Sequence, residues 1–222
     1  MSDCADWKSI TVIFFDLDGT LCDPRTGVVR CLQYALEKLE YTRPPDDQLV
    51  RYIGPPLYKS FALLLDANDT TLINRAVELY RERFASTGMF ENTLYPGIVD
   101  VLAALQVERH QLHVVTSKPT IFARQIIDHF GLRRFFQNVY GSELDGTRAD
   151  KGELIAHVLD QEQIRPTDAV MIGDREHDIR GGLANGVRPI GALWGYGSRE
   201  ELTRAGASVI CETPQSLARY FY

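Results

Sequence analysis

Residues 14–21 read FFDLDGTL, two aspartates two positions apart behind an apolar run. Asp-Gly alone makes an ordinary turn, so Asp16 is the residue that needs a reason. The run before it, SITVIFF (9–15), is β-branched and aromatic and predicts a buried strand. Segments of the same kind recur at QLHVVTS, FFQNVYG, DAVMIGD, VRPIGAL and ASVIC. From Tyr95 onward they alternate with the helical patterns PGIVDVLAALQ, PTIFARQIIDHFG, KGELIAHVLDQ and DIRGGLANG. That alternation predicts an α/β fold, a Rossmann-like, mostly parallel sheet covered by helices on both faces. Pro119 suits the first turn of a helix, and Gly131 and Gly186 suit helix ends.

Between Leu21 and about Asn92 the rhythm stops. In GVVRCLQYALEKL, Val28, Leu32, Ala35, Leu36 and Leu39 fall on one helical face. LYKSFALLLD and DTTLINRAVELYRERF are similar, punctuated by Pro44-Pro45 and Pro55-Pro56. The expected division is a catalytic core of residues 1–20 and 93–222 with a smaller all-α cap domain at 21–92. Proline or glycine near Leu21–Pro24 and Asn92–Pro96 marks these junctions as hinges of a closing lid.

The 222 residues are 45% hydrophobic, enough for a sizeable core and too many for a disordered chain. A formal net charge of −6 argues against a nucleic-acid polymer as partner and leaves room for a small phosphate ester. The N-terminal MSDCADWKSI has no basic stretch followed by an apolar one, and no apolar run approaches bilayer length. Cys4, Cys22, Cys31 and Cys211 form no CxxC pair, so reduced thiols and a cytoplasmic location are expected. A monomer or small homo-oligomer fits this profile.

In open parallel sheets, ligands bind beyond the carboxyl ends of the strands. There the sequence places Asp16 and Asp18, then Thr116, Ser117 and Lys118, then Asp174 with Asp178 one helical turn on. Lys151 opens a helix after ELDGTRAD. Three acids, a hydroxyl and an ammonium can hold a divalent cation and a phosphate and still offer an oxygen nucleophile.

DLDGT, a strand ending in threonine, a lysine opening a later helix, and GDxxxD resemble, in order, the four motifs of the haloacid dehalogenase superfamily. DLDGTLCDPRTGV, YIGPPL, GSELDGTRADKGELI and WGYGSREEL are similar to its bacterial 5'-nucleotidase and phosphoglycolate phosphatase-like branch. The resemblance implies that Asp16 attacks phosphorus and becomes an aspartyl phosphate. It implies that Asp18 protonates the leaving oxygen, later deprotonates water, and offers a backbone carbonyl to Mg²⁺. Asp16 and Asp174 would be its carboxylate ligands, with Asp178, Gly19 and Thr20 behind them. Thr116 and Lys151 would bind phosphoryl oxygens. The substrate implied is a small phosphorylated metabolite, a nucleoside monophosphate first and phosphoglycolate next. In RYIGPPLYKSF, Arg51, Tyr58 and Lys59 are candidates for the leaving group, alongside Ser117 and Lys118 in the core.

Plainer roles compete at several positions. Asp18-Gly19 makes a type I′ turn when taken alone, and Asp174 suits a helix N-cap. His177 suits a solvated first turn. Lys118 either reaches the phosphate or faces solvent. GYGS lacks the spacing of a dinucleotide loop, and Ser198 with Glu201 makes a capping box. A phosphomutase, or a non-catalytic interaction protein on the same fold, remains open beside the phosphatase.

Overall fold

Val12–Phe15 form β1, and none of the four residues is more than 4% exposed. A strand buried on both faces belongs inside a parallel sheet. The computed structural model describes residues 7–221, so Cys4 lies outside the described residues. Cys22, Cys31 and Cys211 are buried thiols. After β1 come β2 (Cys22–Asp23), α1 (Arg25–Lys38), α2 (Asp46–Leu49), α3 (Leu57–Leu64), α4 (Thr70–Ser86) and β3 (Thr93–Leu94). The alternating part follows with α5 (Ile98–Val107), β4 (Gln111–Pro119), α6 (Thr120–His129), β5 (Asn138–Ser142) and α7 (Lys151–Gln161). It ends with β6 (Ala169–Gly173), α8 (Glu176–Ala184), β7 (Arg188–Ala192), α9 (Arg199–Ala205), β8 (Val209–Cys211) and α10 (Ala218–Phe221).

The large sheet has the order β5-β4-β1-β6-β7-β8, and its pairings are parallel. This is the expected α/β architecture. Winding runs outward from β1 through β4 to β5 and, on the other side, from β6 to β8, so the switch point lies at β1 and β6. The strand period of two sends Val12, Phe14, Val115, Ala169 and Met171 to one face, where Leu154, Ile155 and Val158 of α7 cover them. Pro119 sits one residue earlier than expected: it closes β4 and precedes α6 as its N-cap. Gly131 and Gly186 follow helix C-caps, both with left-handed backbone.

The chain divides into two compact units, Met1–Cys22 with Leu94–Tyr222, and Asp23–Thr93. In the second, α1 and α3 both pack against α4. Val28, Leu32, Ala35 and Leu36 are buried, and Leu39 at the end of α1 is half-buried. Asp69 caps α4 by accepting from the Thr71 and Leu72 N–H groups at 2.9 and 3.3 Å. Arg83 and Arg30 share the Glu91 carboxylate at 2.7 and 2.6 Å.

His113 is a polar exception in the buried middle of β4. Phe14 meets its ring edge-on and Tyr140 lies 6.2 Å away. Neither ring nitrogen has a hydrogen-bond partner among the described residues. Burial lowers its pKa from 6.5, and the Glu162 carboxylate only partly opposes that. The unfolded chain therefore takes up a proton that the folded chain refuses. This contribution to stability is whole above pH 6.5 and is lost as pH falls through the folded pKa. Measured against His113→Phe in urea melts, the unfolding free energy of the wild type should fall below pH 6.5, by up to about 1.4 kcal/mol per pH unit. His113→Phe should remove that part of the slope; an unchanged slope would show that the proton goes elsewhere.

Candidate active site

The chain leaves β1 at Asp16, whose N–H donates to the Ile172 carbonyl of β6 at 2.9 Å. The Leu17 carbonyl then accepts from the Thr20, Leu21 and Cys22 N–H groups, which closes a tight loop. Gly19 has φ +85° but Asp18 is not left-handed, so the loop is not a type I′ turn, which needs both. A Cβ on Gly19 would lie 2.3 Å from Asp174 Oδ2. Glycine is required there twice over, by backbone and by space.

Asp174 follows β6 and is fully buried. It caps no helix, because α8 begins at Glu176 with Arg175 as N-cap. Instead its carboxylate accepts from the Tyr196 N–H at 2.8 Å and the Thr20 hydroxyl at 3.4 Å. The Trp194 indole N–H donates to the Thr20 carbonyl at 2.9 Å. A Cβ at Gly195 would stand 2.3 Å from the Asp174 Cβ, and one at Gly197 1.9 Å from its carbonyl oxygen. Trp194–Gly197 thus wraps Asp174 with bare backbone, a task the sequence reading missed. Two glycines around one tyrosine just after a strand were the available signal. Ser198 does cap α9, accepting from Glu201 N–H at 3.1 Å.

Lys151 opens α7 and is almost fully buried. Its ammonium donates to Asp16 Oδ1 and to the Val115 carbonyl, both at 2.9 Å, and forms an ion pair with Asp178 Oδ1 at 2.8 Å. The other oxygen of Asp178 accepts from the Arg175 N–H at 3.1 Å. Thr116 is buried within β4, where the register is irregular between Val115 and Pro119, and its Oγ1 accepts from the Lys118 N–H at 3.3 Å. The Ser117 carbonyl accepts from the Ser142 hydroxyl at 2.9 Å. Lys118 does not face solvent: its ammonium is 2.7 Å from Asp18 Oδ2. His177 is exposed, and Cys22 Sγ is turned to the Leu17 carbonyl.

In the helical unit, Arg51 donates to the Tyr52 hydroxyl at 2.9 Å. Arg51 and Lys59 line a groove of about 380 Å³ with Tyr52, Pro55, Ser60 and Leu63. Tyr58 is 43% exposed and is not among its lining residues.

Carboxylate oxygens of Asp16, Asp174 and Asp178 lie within 4.8 Å of one another. Burial, then Asp178 and Asp16, push the Asp174 pKa well above 3.8. Burial raises Asp178 as well, against the pull of Lys151, and raises Asp18 against the pull of Lys118. Burial alone would lower Lys151, but Asp16 and Asp178 more than reverse it. Oxygens held together at this cost in repulsion suit a hard divalent cation, which prefers carboxylate and carbonyl ligands. Asp178, with Lys151 and the Arg175 N–H on its two oxygens, is the least available of the three.

The family described as haloacid dehalogenase-like hydrolase matches residues 13–192. A 5'-nucleotidase of Pseudomonas aeruginosa is 48% identical over 190 residues, 86% of each chain. The tyrosine-protein kinase PtkA of Mycobacterium tuberculosis is 32% identical over 91% of this chain and 69% of its own. Among solved structures, a predicted phosphatase from Clostridium acetobutylicum superposes with a TM-score of 0.89 at 38% identity, covering 95% of this chain and 97% of that one. With the four motifs gathered at one end of the sheet, the chain belongs to the haloacid dehalogenase-like hydrolase family and is a phosphatase of that family.

Proposed function

We propose that this phosphatase hydrolyses nucleoside 5'-monophosphates with Mg²⁺, through an aspartyl phosphate on Asp16. The observation that carries the chemistry is the pairing of each early acid with its own lysine, Asp16 with Lys151 and Asp18 with Lys118. The Asp16 and Asp174 carboxylates and the Asp18 carbonyl would hold the cation, with Asp178 behind them. The cation, when bound, supplies positive charge to the phosphoryl oxygens. Asp16 forms an O–P bond while the ester P–O bond breaks, and Asp18 gives its proton to the departing oxygen. Water then attacks the same phosphorus, Asp18 takes its proton, and the bond to Asp16 breaks. Lys151 restrains Asp16 and, with Thr116, meets phosphoryl oxygens in an arrangement fixed beforehand. Residues 21–92 serve as the cap that chooses among esters.

The similarity to the 5'-nucleotidase supports the choice of substrate. Phosphate release with Mg²⁺ across nucleoside monophosphates, phosphoglycolate and hexose phosphates tests it. A clear preference for phosphoglycolate or a hexose phosphate would replace it. The similarity to PtkA favours a second reading, in which a tyrosine hydroxyl rather than water takes the phosphoryl group from Asp16. A phosphorylated tyrosine peptide with no free phosphate would select that one.

The metal assignment has a stability signature. Asp174 stays protonated in the fold at pH values where the unfolded chain has released its proton. Its contribution is therefore whole at low pH and lost as pH rises through the folded value. Without metal, Asp174→Asn should flatten that loss. Mg²⁺ at about 100 times its Kd should stabilise the wild type by about 2.7 kcal/mol and the variant hardly at all. Equal melting shifts in both proteins would move the cation elsewhere.

A further inference from the structure

Lys118 stands on backbone that leaves it little freedom. Its N–H donates to Thr116 Oγ1, and Pro119 follows it. A Cβ on Gly141 of β5 would lie 2.3 Å from the Lys118 carbonyl oxygen and 2.8 Å from the Thr120 nitrogen. The Ser142 hydroxyl donates to the Ser117 carbonyl at 2.9 Å, and the Thr120 hydroxyl donates to the Ser142 carbonyl at 3.2 Å. Residues 117–120 are thus tied to β5 on both sides of Lys118. From that anchor the side chain, 8% exposed, reaches Asp18 Oδ2 at 2.7 Å. The other oxygen, Asp18 Oδ1, is buried and has no hydrogen-bond partner among the described residues.

The two oxygens of one carboxylate are chemically alike until something distinguishes them. Here Lys118 does: it occupies Oδ2 and leaves Oδ1 unengaged. We propose that Lys118 is a positioning residue for Asp18, holding its carboxylate through Oδ2 in the one orientation from which it gives a proton to the leaving oxygen and takes one from the attacking water. The proposal rests on the reading of Asp18 as the group that handles protons. It differs from a lysine that binds the phosphoryl group directly. A residue acting through Asp18 has nothing to position once Asp18 has lost its function, whereas a phosphate ligand contributes regardless.

A double-mutant cycle separates the two. Wild type, Lys118→Met, Asp18→Asn and the double variant are compared on the best alkyl phosphate of the substrate panel. Inhibition by inorganic phosphate is measured for each. Misplacing a reacting group costs about 10²-fold, so Lys118→Met should lower kcat by about that factor while KM and the phosphate inhibition constant stay within about threefold. The double variant should be no slower than Asp18→Asn alone, within about threefold. Lys118→Arg, which keeps a cation at Asp18, should recover part of kcat. If Lys118→Met melts below the assay temperature, Lys118→Leu, which also removes the donor, carries the same cycle. Losses that multiply in the double variant, or phosphate inhibition weakened about tenfold by Lys118→Met, would make Lys118 a phosphate ligand and overturn the proposal. A wild-type rate in Asp18→Asn alone would overturn the reading of Asp18 instead, and the single variant shows which has failed.

Discussion

Asp18→Asn should give a burst of p-nitrophenolate from p-nitrophenyl phosphate, close to one per active site, followed by slow turnover. The amide keeps the size of the residue and its backbone carbonyl, but it can neither give a carboxylic proton nor take one from water. p-Nitrophenolate is stable as an anion, so attack by Asp16 proceeds without a proton donor. Water attack on the aspartyl phosphate still lacks its base, and the phosphoryl group accumulates on Asp16. Alkyl esters leave as poor alkoxides, and their first step should slow by roughly 10²–10⁴. Rapid quench followed by peptide mapping finds the phosphoryl group. Its recovery on a serine or histidine, or an unchanged steady-state rate, would sink the mechanism.

Lys151→Met should damage rate and stability together. Its ammonium lies between Asp16 and Asp178, two acids that a methionine would leave without a counter-charge. Losing one electrostatic contact to the phosphoryl group costs roughly 10²–10³ in rate. Breaking a buried ion pair from one side costs about 3–5 kcal/mol. Lys151 pulls the Asp178 pKa down against burial, so its removal lets Asp178 rise further. An acid raised in this way contributes stability at low pH that is lost as pH rises. The deficit against wild type should therefore be greatest near neutrality and shrink toward acid pH. Urea melts at several pH values, with phosphate release in Mg²⁺, measure both effects. Near-normal turnover in Lys151→Met, with activity abolished in Lys118→Met, would exchange the two lysines.

β1 and β6 were legible because each is an apolar run that becomes a doubly buried strand, and Asp16 and Asp174 because each closes such a run. Asp16, Asp18, Thr116, Lys151 and Asp174 could be found by reading strand and helix ends alone. What escaped depends on contacts between distant parts of the chain. Nothing local to Lys118 says that it meets Asp18, because the contact exists only once β1 and β4 lie side by side. The wrap of Trp194–Gly197 around Asp174 escaped for a related reason: a glycine records a close approach without naming what approaches. His113 shows the limit of periodicity, since a strand pattern predicts burial and not that a histidine there lacks hydrogen-bond partners among the described residues.

The central place of β1 has a consequence for how the protein is made. Val12 pairs with Gln111 on one side and Ala169 on the other, so the middle strand is the first to be synthesised. It emerges from the ribosome before either neighbour exists. At about 5–20 residues per second, the roughly 95 residues that separate it from β4 take about 5–20 seconds. For that time VIFF has no sheet to enter, and an unpaired apolar strand is a template for association with other chains. The segment that ends in the proposed nucleophile is thus also the nascent chain's chief aggregation hazard, and a natural place for a chaperone to hold it.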